Sequence, residues 1–335
     1  MKAHRFLLYL VVLFSFVAFF AACGDDDDDE ADLPTAEPPT AEAATPTDEP
    51  AVGTEYPLTI QDMIGRSVTI DAAPTAVAAL SPTTVELVYA VGATSLTRTK
   101  SVQYPEAAVA AVDIGPSYQP SLELIAAQSP DLIVADAMSQ PQLAQDLEGL
   151  GVPVVFVGVG TYDDVAAALA LIGEVLNASD EADAAIATLE QTKADLAHSV
   201  PADTVTVLIL NGSPDDFYAA KPESYVGDLA DLLAAENPAA GAPDVGQFPG
   251  YTKLSLESIV AAAPDVVLAV TAGPPGGPTI TDTLSADPAW AAIPAVQNQR
   301  VTEISAELFL QAPGPRAGDA LTELAALLYP EAFAP

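Results

Sequence analysis

PSLELIAAQSPDLIVA (120–135) and LSLESIVAAAPDVVLA (254–269) are two copies of one pattern in a chain of 335 residues. In each, Ser-Leu-Glu opens an apolar helical stretch, and seven residues after the Glu a Pro-Asp pair leads into an unbroken apolar run. Ser121 and Ser255 suit the position before a helix, and Glu123 and Glu257 fall in the first turn, where the helix dipole favours a carboxylate. Pro-Asp is turn chemistry, and an apolar run without alternation reads as a strand covered on both faces. A helix–turn–buried-strand unit repeated 134 residues apart predicts two equivalent α/β lobes with one acidic residue at the same place in each.

The flanking sequence extends this reading. Ala76–Leu80 is a short apolar strand, and Ser81-Pro82 opens a helix over Thr83–Val91 that Gly92 stops. Tyr56–Asp71 reads as two short strands around the turn Asp62–Arg66. Gln140–Leu150 and Asp163–Leu176 read as helices, Val154–Val157 as a strand between them. Residues 180–199 differ, forming a long, mostly polar helical stretch with Ser179 or Asp180 as cap and Ala184, Ile186, Leu189 and Leu196 on its apolar side. A second strand–helix series follows Pro201: strands at Val205–Leu210, Val266–Val270 and Val301–Ile304, helices at Tyr225–Ala235, Leu256–Ala262 and Ala317–Leu328. The expected fold is therefore α/β, with two Rossmann-like lobes of parallel sheet at 57–178 and 201–335 joined by one long helix at 179–200, and a ligand cleft between the lobes.

The N-terminus is of another kind. Lys2 and Arg5 precede an apolar run, Phe6–Ala22, directly before Cys23. This resembles a bacterial lipoprotein signal (1–22) with the lipobox Phe20-Ala21-Ala22-Cys23-Gly24, which implies cleavage before Cys23 and its lipidation as a membrane anchor. Residues 23–56 then carry Asp25–Asp29 and a Pro/Thr/Ala/Glu mixture that cannot bury apolar surface, so a disordered tether is expected.

Composition narrows the function. Lys and Arg number 10 against 47 Asp and Glu, a formal charge of −37, which argues against a nucleic-acid binder. Residues 57–335 alone keep about −27, spread over helix surfaces. One Cys excludes an internal disulfide, and two His, of which only His198 would survive processing, exclude a His-rich metal site. Catalysis is equally unsupported: Gly158-Val159-Gly160 is half a dinucleotide fingerprint, no Gly-x-Ser-x-Gly elbow exists, and His198 sits on a polar helix. Neither an enzyme nor a resident cofactor is expected.

With the repeat, further pieces stand in order: Pro74-x-x-Val77-x-x-Leu80-Ser81-Pro82-Thr83-Thr84-Val85-Glu86-Leu87, Tyr104-Pro105-Glu106, and Pro288-Ala289-Trp290 followed by Ala295-Val296-x-x-x-Arg300-Val301. Over about 56–330 the chain resembles a class III periplasmic binding protein of the iron-complex and cobalamin importers. The resemblance implies a monomeric, extracytoplasmic, lipid-anchored protein that captures an iron complex, haem or a ferric siderophore, and delivers it to an ABC permease dimer with its ATPase. Cobalamin, or a sensor or adhesion role outside transport, are the alternatives. It also implies that Glu123 and Glu257 dock on permease arginines. Aromatic and cationic loop residues are the expected ligand contacts: Tyr104, Tyr118, Tyr218, Tyr225, Tyr251, Lys253 and Arg316. Gly250-Tyr251 and Gly314-Pro315-Arg316 resemble the haem-binding branch, so Tyr251 is the expected iron ligand if haem is bound, with Lys253 or Arg316 for a propionate.

Overall fold

The computed structural model describes residues 53–245, 249–273 and 276–333. The expected signal segment, Cys23 and the expected tether as far as residue 52 lie outside the described residues.

Described strands run in chain order β1 (Leu58–Gln61), β2 (Ser67–Ile70), β3 (Val77–Ala79), β4 (Thr97–Arg98), β5 (Val112–Asp113), β6 (Leu132–Asp136), β7 (Val154–Val157), β8 (Val207–Ser213), β9 (Asp216–Ala220), β10 (Tyr251–Thr252), β11 (Val266–Thr271) and β12 (Val301–Glu303). The first lobe is built on a parallel sheet of order β3-β6-β7, and the second on the order β10-β9-β8-β11-β12. An isolated parallel bridge from Val77 to Ser95 ties the β4–β5 pair to the edge of the first sheet.

The repeat does the same work in both lobes. Asp131 leads into β6, and its carboxylate accepts the N–H of Thr75 (2.8 Å), the Thr75 hydroxyl (2.9 Å) and the N–H of Ala76 (2.9 Å) at the start of β3. Asp265 leads into β11, and its carboxylate accepts the N–H of Thr206 (3.0 Å) just before β8. Each Pro-Asp turn thus pins its own strand against the parallel neighbour that precedes it in the chain.

The long helix is present as Ser179–Ser199, with Ala182, Leu189 and Leu196 as its buried stripe. Its N-terminal part differs from expectation. Ser179 is already inside the helix, Ala178 stands at the cap position without a side-chain hydrogen bond, and Ala184 is exposed where Ala182 is buried. The helix packs on Tyr162–Val175 of the first lobe and on Ala317–Leu328 of the second, and one apolar cluster runs through all three. Gly173 marks how tight the first contact is: a Cβ there would come 2.5 Å from that of Ala182.

Two further expectations are corrected, and the segment around Trp290 is added. The second sheet is not all parallel, because β8 turns back into β9, which pairs with it and with β10 antiparallel. The turn Pro214-Asp215 joins the two, and β9, five residues beginning at Asp216, does not stand apart in the sequence. The stretch 140–150 is a 3₁₀ turn (Pro141–Leu143) and a short helix (Ala144–Glu148), because Pro141 fits only a first turn. Around Trp290 the chain forms the 3₁₀ turn Pro288–Trp290 and then Pro294–Gln297, each opened by a proline.

Candidate functional site

A cavity of about 700 Å³ opens between the lobes. That size falls within the range of about 300–1,000 Å³ usual for small-molecule sites. From the first lobe it takes the start of helix Pro82–Ala90, the loop around Tyr118, and the strand ends at Asp136 and Val159. From the second it takes the start of helix Tyr225–Leu232, Tyr251, and the segment Leu310–Pro313.

Both helices reach the cleft for a local reason. Ser81 accepts the N–H of Thr84 (3.1 Å) and Ser224 that of Gly227 (3.2 Å), so each helix begins at the cleft wall with a satisfied serine cap. Gly227 cannot be replaced by a larger residue, since a Cβ there would overlap the Lys221 carbonyl.

Of the seven expected ligand contacts, Tyr118, Tyr225 and Tyr251 line this cavity. Tyr118 is 71 % exposed at the mouth, beside Met138 at 67 %. Tyr251 is half-buried, and its hydroxyl accepts a hydrogen bond from Asn211 Nδ2 at 3.2 Å. Burial pushes its phenol above the ordinary tyrosine range, and the contacts with Asn211 and Ser224 offset part of that. Tyr225 is buried at the cleft floor, and among the described residues its hydroxyl finds no hydrogen-bond partner. Burial raises its phenol well above the ordinary range, and the neighbouring Tyr162, Glu86 and Asp228 push in the same direction.

Tyr218 stands one step away, in a side pocket of about 270 Å³ that shares Tyr251 and Leu310 with the main cleft. Its hydroxyl donates to Asp216 (3.1 Å), and the Lys253 ammonium sits 4.7 Å from its ring centre. Lys253 pairs with Asp216 at 2.6 Å, on the outer side of that pocket.

Tyr104 and Arg316 lie outside the cleft lining and meet each other. The Arg316 guanidinium covers the Tyr104 ring at 4.3 Å. It reaches Glu86 on helix Pro82–Ala90 through two hydrogen bonds, 2.6 and 2.9 Å, and Glu307 through a third of 2.9 Å. The Glu86 side chain is only 2 % exposed. Burial raises its carboxyl above the usual range, although Arg316 pulls the other way. Both carboxylates hold Arg316 charged against its own burial. Glu307 adds to the upward push on Glu86 and takes a share of the Arg316 charge. A second tie joins the lobes nearby, where Asp228 accepts the N–H of Tyr162 at 2.7 Å.

Glu123 and Glu257 occupy matched places. Each lies in the first turn of a short helix capped by Ser121 or Ser255, and each is exposed. Among the described residues no cluster of three or more His, Cys, Asp or Glu could hold a metal ion, and no helix is long and apolar enough to cross a membrane.

Several cleft residues were not foreseen. Ser81, Thr83, Asp136 and Met138 line it, and Asn211 supports Tyr251. Glu86 had been visible only as part of a motif. Its partner lies 230 residues away, which no local pattern can show.

The periplasmic binding protein family matches residues 77–308. The uncharacterized ABC transporter substrate-binding lipoprotein YvrC of Bacillus subtilis (strain 168) is 25 % identical over 293 residues, covering 83 % of this chain and 87 % of that protein. The Fe(3+)-citrate-binding protein YfmC of the same organism is 25 % identical over 208 residues, 62 % of this chain, and the match spans 63 % of that protein, less than two thirds. Among solved structures, the periplasmic heme-binding protein RhuT from Roseiflexus sp. RS-1 superposes with a TM-score of 0.67 at 25 % identity, covering 77 % of this chain and 98 % of that one. The chain belongs to the periplasmic binding protein family, a non-catalytic transport binding fold.

Proposed function

We propose that this chain is the extracytoplasmic substrate-binding lipoprotein of an ABC importer, held to the membrane through Cys23, and that it captures an iron complex, haem or a ferric siderophore. The observation that carries this is the interlobe cavity with Tyr118, Tyr225 and Tyr251 in its walls. Aromatic walls with a few hydroxyls suit a bulky, rigid complex. In the haem version the Tyr251 phenol, a hard anionic oxygen once deprotonated, is the iron ligand. Relatives support the class: YvrC is a substrate-binding lipoprotein, YfmC a ferric-citrate-binding protein and RhuT a heme-binding one. A corrinoid is the second reading, favoured by the absence of lysine and arginine from the cleft walls among the described residues.

Delivery falls to Glu123 and Glu257, one exposed carboxylate per lobe, which would meet arginines of a permease dimer. Matched charges of this kind set orientation and association rate more than affinity.

The test is a titration of the mature protein with haemin, ferric hydroxamate, ferric catecholate and cobalamin, followed by intrinsic fluorescence. Quenching by one of them, weakened in Tyr251→Ala, is the expected result. A shifted Soret band lost in Tyr251→Ala would specify haem, and its absence removes haem from the set.

A further inference from the structure

We infer that the cleft selects metal complexes that carry no net negative charge. The inference rests on the importer reading above and narrows its ligand class. It comes from accounting for every cation in the folded part. Residues 57–335 contain eight Lys and Arg. Arg66 is held by Asp62 and Glu148, Arg98 by Asp113, and Lys193 by Asp163 and Glu190. Lys221 is held by Asp244 and Glu223, Lys253 by Asp216, and Arg316 by Glu86 and Glu307. Arg300 donates to the carbonyls of Leu327 and Leu328. Lys100 is exposed, one residue from the lining Ser101. None of the eight is among the residues lining the cavity.

What the lining does carry is acid. Asp136 is buried there, and one oxygen accepts the N–H of Met138 and Ser139, both at 2.8 Å, with no cation on it among the described residues. Glu223 lines the opposite wall, where its charge is shared with Lys221 at 3.5 Å. The two helix starts at Ser81 and Ser224 offer partial positive charge of roughly half a unit each, and their serine caps already use part of it. An anionic complex entering this cleft would leave water, meet the Asp136 carboxylate and find no ammonium or guanidinium in the lining to repay the loss. An uncharged complex meets neither penalty and finds apolar walls at Met138, Val159 and Leu310 with hydroxyls on Ser81, Thr83 and Tyr225.

The ligand class is therefore a neutral or cationic chelate, such as a ferric tris-hydroxamate or a corrinoid. Ferric tris-catecholate and ferric dicitrate fall outside it. So does haemin, whose two propionates outweigh the single charge of the ferric porphyrin.

The experiment is equilibrium titration of the mature protein with these probes, each at low and high NaCl. The expected result is binding of at least one neutral or cationic complex, with every anionic probe at least about 50-fold weaker. Salt should leave the neutral ligand's affinity unchanged and raise that of the anions. Asp136→Asn, which keeps an acceptor for the two N–H groups, should narrow the gap, and Lys100→Glu should leave the neutral ligand's affinity unchanged. An anionic probe that binds tightest, or whose affinity falls with salt, overturns the inference and leaves the importer reading standing. If no probe of any charge binds, the metal-complex reading falls and takes the inference with it.

Discussion

Arg316 Nη2 lies 2.6 Å from Glu86 Oε1 and Arg316 Nε 2.9 Å from Glu86 Oε2, a two-point bridge between side chains 230 residues apart. One partner starts the last long helix of the second lobe, and the other sits inside the first helix of the first lobe. The cation that the sequence suggested for a propionate is instead the fastener beneath the cleft.

That placement predicts different costs for two Glu86 variants. Glu86→Ala leaves a cavity and removes the main partner of a guanidinium whose side chain is 19 % exposed, so a loss of about 2–4 kcal/mol is expected. Glu86→Gln keeps the shape and mimics the protonated acid, and its loss should be smaller. The sign with pH follows from burial, which raises the Glu86 carboxyl in the fold. A raised carboxyl contributes stability that is complete below about pH 4.3 and is lost as pH rises through the folded value. The wild type should therefore lose ground to Glu86→Gln as pH rises from 4 through that value. Urea melts of the three proteins between pH 4 and 8 check it, and parallel curves would refute it.

The same bridge bears on motion. One helix, a shared apolar cluster, the Arg316 bridge and the Asp228–Tyr162 bond together hold the lobes. Small closure on ligand binding is expected, so the radius of gyration from solution scattering should hardly change when ligand is added. Arg316→Ala should widen the difference between free and loaded forms. A large change in the wild type would contradict the stiff connection.

Docking is separable from binding. Glu123→Ala with Glu257→Ala touches only exposed first-turn carboxylates, so each should cost the fold a few tenths of a kcal/mol. Ligand affinity should be unchanged, while uptake by cells carrying the double variant should be lost. Uptake at the wild-type rate would remove the docking role and favour a sensor or adhesion protein.

Much of the fold was legible because its signals are local. Ser81-Pro82, Ser121 and Ser255 announce helices by capping chemistry, and the runs 132–136 and 266–271 announce buried strands by lacking alternation. β9 and the helix Ile280–Ala286 were not seen: the first is short and begins at Asp216, and the second follows a Gly/Pro-rich stretch. The site was half legible. Tyrosines in loops could be guessed to face a cleft, and three of those named line the cavity. Which cations are free could not be guessed, because that depends on pairings such as Lys253 with Asp216 and Arg316 with Glu86, made across 37 and 230 residues.

The two Pro-Asp turns, finally, should not be equal in strength. Asp131 takes three hydrogen bonds from Thr75 and Ala76, whereas Asp265 takes one from Thr206. Burial alone would raise the Asp131 carboxyl, but those donors outweigh it and hold it below the ordinary range. A lowered carboxyl contributes stability that is present above about pH 3.9 and is lost as pH falls through the folded value. Asp131 is exposed, so solvent screens the effect and the loss in Asp131→Asn should stay near or under about 1 kcal/mol. At pH 7 that variant should melt below both wild type and Asp265→Asn, and the gap to wild type should close as pH falls from 4 toward 2. Identical melting of the two variants at pH 7 would show that the count of donors on the aspartate does not set the strength of the turn.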